Sequence, residues 1–146
     1  MSSQTVALIG FAIMSWVFAW LPGLWCGLDV FKNNVIVPAL QIPTSVVPIT
    51  ELITQGMALY GMTMNTNTWA SVAYVVQGIA FPLWTYTFLG LKNKGLSLLM
   101  TVIALAGSIL MWGLSEDVKI AWLWFVPLIL HKAYDVYWTQ LAEFKE

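Results

Sequence analysis

Runs of roughly twenty apolar residues follow one another along almost the whole chain, and a run of that length fits the ~30 Å hydrocarbon core of a bilayer. Backbone N–H and C=O groups in lipid must be satisfied within the segment, so continuous runs of this kind predict helices. Four stand out: Val6–Trp25, Trp69–Gly90, Gly95–Leu114 and Val118–Thr139. A fifth, Val46–Met64, carries Glu51 and Gln55 yet is long and apolar enough to cross. The expected fold is an all-α integral membrane protein, a bundle of five transmembrane helices in a single domain spanning residues 1–146. In the four-span alternative, Val46–Met64 lies at the surface as an amphipathic helix.

Charge helps to choose between the two. Only 9% of the residues are charged, against about 25% in a soluble domain, and mean hydropathy is +0.79. With five spans Lys32, Lys92, Lys94 and Lys145 share one side and Lys119 takes the other, the bias that the positive-inside rule expects. This predicts a multi-pass protein with its C-terminus in the cytoplasm. Six lysines, no arginine and seven acidic residues leave no basic surface for phosphates, which excludes a nucleic-acid partner. One cysteine and one histidine supply no metal-site spacing and no internal disulfide. Met1–Thr5 lacks the positive region of a signal peptide, so the first run reads as a retained span.

Connections at Met64–Thr68, Leu91–Lys94 and Ser115–Asp117 are short and contain turn-forming residues, so successive helices are antiparallel neighbours. Cys26–Ser45, with Asn33, Asn34, Pro38 and Pro43, is longer and too apolar to be freely solvated. It is expected to fold over one end of the bundle as a cap.

Within the third run Gln77, Phe81, Trp84 and Phe88 recur at steps of four, seven and eleven, which return to one side of a helix. A buried amide beside rings suits either interhelical packing or an amphiphile-binding face. Glu51, three positions after Pro48, is open to the same two readings. His131 and Asp135 are spaced to pair along one face, while Lys132 is expected to snorkel to the interface. Of the nine tryptophans, Trp25, Trp69, Trp112 and Trp138 fall at span ends as belt residues, whereas Trp16, Trp20, Trp84 and Trp124 lie deeper. Pro82 lacks an amide and so leaves one helix carbonyl free. No triad, metal-protease motif, phosphate loop or paired-carboxylate constellation can be assembled, so an enzyme has no support here.

The stretch Ala73–Lys92, AYVVQGIAFPLWTYTFLGLK, resembles the third span of the TspO/MBR family of tryptophan-rich sensory proteins and translocator proteins. Gln77, Trp84 and Phe88 match that pattern, followed by Gly90 and Lys92; Met111-Trp112, Phe125-Val126-Pro127 and Val46-Val47-Pro48 resemble further family positions. The likeness covers roughly Ala70–Gln140. It has departures: Phe81 stands at the family's asparagine, Glu51 at a tryptophan, His131 at the tryptophan of the Pro-Tyr-x-x-Trp motif, and the first loop keeps only Pro38 and Pro43.

The resemblance implies a five-helix bundle, often a homodimer, with an interior pocket for a tetrapyrrole such as a porphyrin, or a sterol or other lipid, which the protein transports or senses. Carried over position by position, it places Trp84, Phe88, Gln77, Pro48 and Pro127 around the pocket, with Glu51 and His131 replacing aromatics; Phe81, on the same stripe, and Trp124, among the deeper tryptophans, join the expected lining from their own placement. No cofactor is required, beyond a bound tetrapyrrole or lipid. The alternatives are an accessory subunit of a larger membrane protein complex and, less favoured, a sterol isomerase of the EXPERA group. That group resembles the chain at Gln77, Phe81-Pro82 and Thr85-Tyr86 but needs acidic residues that only Asp29 and Glu51 supply.

Overall fold

A computed structural model describes residues 2–25, 35–36, 38–40, 42–43, 46–64 and 67–144. Cys26, Asp29, Lys32, Asn33 and Asn34, and the side chains of Trp20 and Trp25, lie outside that description. Five long helical segments appear: α1 Ser3–Trp25; α2 Val47–Thr63; α3 Thr68–Thr85, prolonged by a π-helical turn Tyr86–Gly90; α4 Lys94–Gly113; and α5 Val126–Leu141, approached through Val118–Ile120 and a π-helical stretch Ala121–Phe125. Their limits follow the apolar runs to within a few residues. The turns end as the sequence dictates, because Asn67, Asn93 and Asp117 each accept backbone N–H groups of the helix that follows. Pro48 and Pro127 sit in first turns, where a missing N–H is tolerated.

Cross-helix contacts fix the directions. Gln4 reaches Ser71, Phe11 packs on Tyr74 and Ser15 meets Gly78, so α1 and α3 run parallel. Thr50 meets His131 while Tyr60 packs on Trp124, so α2 runs antiparallel to α5. Ser97 bonds Thr87 while Gly107 lies against Gln77, so α4 returns along α3. The result is an up-and-down bundle in which α2 runs lengthwise as a full member. A Cβ at Gly107 would stand 3.1 Å from the Gln77 Cβ and 3.2 Å from the Ala73 carbonyl, so this glycine sets how closely α4 approaches α3.

Pro82 lies inside α3, and the carbonyl it leaves without an intrahelical donor is that of Gly78, four residues back. The Ser15 hydroxyl of α1 donates to that oxygen. A sequence-level defect in one helix is thus repaired by another, as apolar surroundings demand. Ser15→Ala is expected to lower unfolding free energy by about 1–3 kcal/mol, the cost of an orphaned buried acceptor. In a Pro82→Ala background the same change should be nearly neutral, because residue 82 regains an N–H for Gly78. Thermal unfolding of the four variants in detergent checks this, and equal losses in both backgrounds would refute it.

A two-stranded antiparallel ladder closes one end: β1 Val35–Ile36 pairs with β2 Glu143–Phe144, Val35 opposite Phe144 and Ile36 opposite Glu143. Ile42 N–H donates to the Tyr134 hydroxyl at 2.9 Å, and Pro38 is buried. The described parts of the segment after α1 therefore lie over that end of the bundle, as the sequence leads one to expect.

Polarity is arranged inside out. Ile13, Leu110 and Leu130 are 60%, 55% and 65% exposed, while Glu51 and Lys132 are 0% and 1% exposed. The buried face of α4 consists largely of small or hydroxylated residues, including Ser97, Thr101, Ala104, Gly107 and Ser108, which allow close helix approach. Among the described residues, Thr68–Gly90 and Lys94–Gly113 are each long and apolar enough to cross a membrane.

Candidate functional site

One turn into α2, Glu51 points at α5, where His131, Lys132 and Asp135 crowd together. Spacings of three and four put Asp135 below both Lys132 and His131 on the helix surface. Glu51 Oε1 accepts from Lys132 Nζ at 2.6 Å, a short charge-assisted bond. Its Oε2 lies 3.0 Å from His131 Nδ1, and Asp135 Oδ2 lies 3.4 Å from the same nitrogen and 3.8 Å from Lys132 Nζ. The ammonium nitrogen lies 4.7 Å from the centre of the Phe81 ring, a cation–π contact.

The state of the histidine follows from its neighbours. Thr50 donates its hydroxyl proton to the Val47 carbonyl, which leaves lone pairs for a proton on His131 Nε2 at 3.1 Å. Nδ1 meanwhile faces two carboxylates. In its doubly protonated form the ring would present N–H groups to acceptors on both sides, with the approach at Nδ1 ionic rather than hydrogen-bonded. Glu51 and Asp135 then balance His131 and Lys132, two negative charges against two positive. Buried charge is tolerated only when paired in this way.

Polar contacts continue towards α3. Gln55, one turn after Glu51, donates to Glu51 Oε1 at 3.2 Å and to Gln77 Oε1 at 2.9 Å, and Gln77 donates back to the Gln55 carbonyl oxygen at 3.0 Å. Three helices are thereby joined through one continuous network. Beside it, between α1, α2 and α3, lies a cavity of ≈ 10 Å³, bordered by Trp16, Glu51, Gln55, Tyr74 and Phe81 among others. That is room for about one water.

The predicted residues divide into three groups. Glu51, His131, Gln77 and Phe81 meet at the network, and Phe81 alone of the α3 stripe borders the cavity. Trp84 stacks between Phe81 and Phe88, at 6.3 Å and 5.2 Å, and donates its indole N–H to Thr139 at 2.9 Å. Phe88 is fully buried against Trp138 and Phe144, so the outer half of the stripe is packed by side chains from the end of α5 and from β2. Trp124 packs on Tyr60, nine residues and so roughly 13 Å along α2 from Glu51. Pro48 and Pro127 are half-buried in their first turns and do not border the cavity.

Lys132 corrects one expectation. It does not snorkel outward, because the Glu51 carboxylate meets it across the α2–α5 seam and satisfies its charge inside the bundle. Glu51, His131 and Asp135 offer ligand atoms within 4.8 Å of one another, the spacing of a metal site, while the Lys132 ammonium, 2.6 Å from Glu51 and 3.8 Å from Asp135, already supplies positive charge to both carboxylates. Gln55 and Tyr74 were not singled out by spacing. A glutamine one turn after a buried glutamate was the signal available for the first.

Against known proteins, the chain matches no family model, no curated protein and no solved structure. The likeness to the TspO/MBR family therefore rests on the residues quoted above.

Proposed function

We propose that the chain is a multi-pass membrane protein of TspO type, crossing five times with its C-terminus in the cytoplasm, that binds a hydrophobic ligand of the tetrapyrrole or sterol and lipid class inside its bundle. The observation that carries this reading is the reversal of polarity: large apolar side chains cover the outside, while a charge-balanced network with a cavity beside it occupies the interior. In a bilayer such interior groups mark function by default. The apolar exterior is what lipid requires, and the gap in Trp-Pro-rich loop sequence is offset by a ladder that still closes one end.

A ligand of ordinary size needs a pocket of about 300 Å³ or more, so binding requires the bundle to open. The mobile wall in this reading is α1. Among the described residues its polar ties to α3 are the Gln4–Ser71 and Ser15–Gly78 contacts, and Ile13, Met14, Val17 and Phe18 face outward. Outward movement of α1 would join the cavity to lipid and leave the α2–α5 ion pairs intact.

Titration of the protein in nanodiscs with a porphyrin and with a sterol, followed by tryptophan fluorescence, tests the proposal. Saturable quenching or enhancement by at least one of them is the expected result. Strictly linear change with both, in nanodiscs and in detergent, would count decisively against it. Glu51→Gln should weaken binding more than Trp84→Ala, because Glu51 borders the cavity and Trp84 is committed to Thr139.

A further inference from the structure

Three buried polar groups around the cavity have no hydrogen-bond partner among the described residues: Trp16 Nε1, the Tyr74 hydroxyl and Glu51 Oε2. All three residues border the same ≈ 10 Å³ space. The Glu51 Oε2 to His131 Nδ1 approach of 3.0 Å is an ionic contact without hydrogen-bond alignment, with His131 Nδ1 equally without a hydrogen-bond partner, so this oxygen keeps accepting capacity on its cavity side. Tyr74 is 1% exposed and Glu51 0%, which removes bulk water as the missing partner. Unsatisfied groups at such depth are costly, and three around one water-sized space point to a shared occupant.

The chemistry of the three groups selects that occupant. An indole N–H only donates and a carboxylate oxygen only accepts, while a phenol does either. An ammonium group has no lone pair for Trp16. A carboxylate has no proton for Glu51 and is repelled by it, and the basic groups beside it, His131 and Lys132, already face Glu51 and Asp135. A neutral hydroxyl fits every position: its oxygen accepts from Trp16 or Tyr74 and its proton goes to Glu51 Oε2. Gln55 adds no preference, since its amide protons serve Glu51 and Gln77.

We propose that this cavity is a binding site for one uncharged hydroxyl, that of a water molecule in the unliganded protein and of an alcohol-type amphiphile in the complex. The inference rests on the ligand-binding reading above and narrows it, because it disfavours ligands that present a carboxylate, including those of tetrapyrroles. The site lies where α1 covers α2 and α3, so an apolar chain attached to the hydroxyl would run along that seam towards the exposed side of α1.

A long-chain alcohol carrying a diazirine beside its hydroxyl end, photolysed with the protein in nanodiscs, is the probe, with attachment sites mapped by peptide mass spectrometry. Labelling is expected within α1–α3 near Trp16 and Tyr74. Hexadecanol should compete about tenfold better than palmitate or hexadecane, and Tyr74→Phe, which keeps the ring, should weaken labelling about tenfold. Tyr86→Phe, on the exposed side of the turn after α3, should leave it unchanged. Palmitate competing as well as hexadecanol, or Tyr74→Phe without effect, overturns the hydroxyl site. No saturable labelling while porphyrin or sterol still gives a saturable signal overturns the hydroxyl site alone, and loss of both signals overturns the binding function as well.

Discussion

Lys132→Met is expected to destabilise the bundle by about 3–5 kcal/mol, the cost of leaving a buried carboxylate without its partner. The loss exceeds what one hydrogen bond is worth, because Glu51 is wholly buried and Lys132 Nζ is its closest cation at 2.6 Å. Glu51→Gln combined with Lys132→Met should recover most of it. That double variant removes one charge of each sign and leaves His131 and Asp135 to balance each other, 3.4 Å apart. Chemical unfolding in a mixed-micelle system reads the four corners of the cycle. Additive losses in the double variant would mean that the two side chains are not energetically coupled and would undo the account of the network.

Gly61→Val is expected to cost about 3 kcal/mol, the upper end of overpacking penalties. Even a bare Cβ at Gly61 would sit 2.6 Å from Phe125 Cε1 and 2.7 Å from Trp124 Cβ. A ring can rotate away, but the Trp124 Cβ is bonded to the backbone, so the stretch leading into α5 must retreat from α2. Glu51 and Lys132 lie further along the same seam. The variant should therefore also make the carboxylate accessible, measurable as faster modification of Glu51 by a water-soluble carbodiimide. Unchanged stability together with unchanged modification would show that the seam is looser than its distances indicate.

The helices were legible because each apolar run has the length of one crossing, and their ends were legible in Asn67, Asn93 and Asp117, whose side chains cap the next helix. The inward stripe of α3 was legible from its period. Its partners were not, since periodicity tells which face is buried and says nothing of what covers it. Lys132 shows the limit: one step of about 100° from His131 leaves it open to two surroundings, and a residue 81 positions earlier decides between them. The exchange between Gln55 and Gln77 joins two helices in the same way. A cavity is further from the sequence still, because it is the residue of packing after every neighbour has found its place.

The pairing of Glu51 with Lys132 also bears on how such a chain would enter a bilayer. Each Lys or Asp at the centre of a lone helix opposes insertion by about 2.5–3.5 kcal/mol, and α5 carries one of each, Lys132 and Asp135, beside His131. By itself α5 is a poor candidate for release into lipid. With α2 already waiting at the insertion site, Glu51 neutralises the incoming helix before it meets hydrocarbon. In a bilayer the ion pair would set an order of assembly: the second helix would wait for the fifth, and the two would enter lipid together.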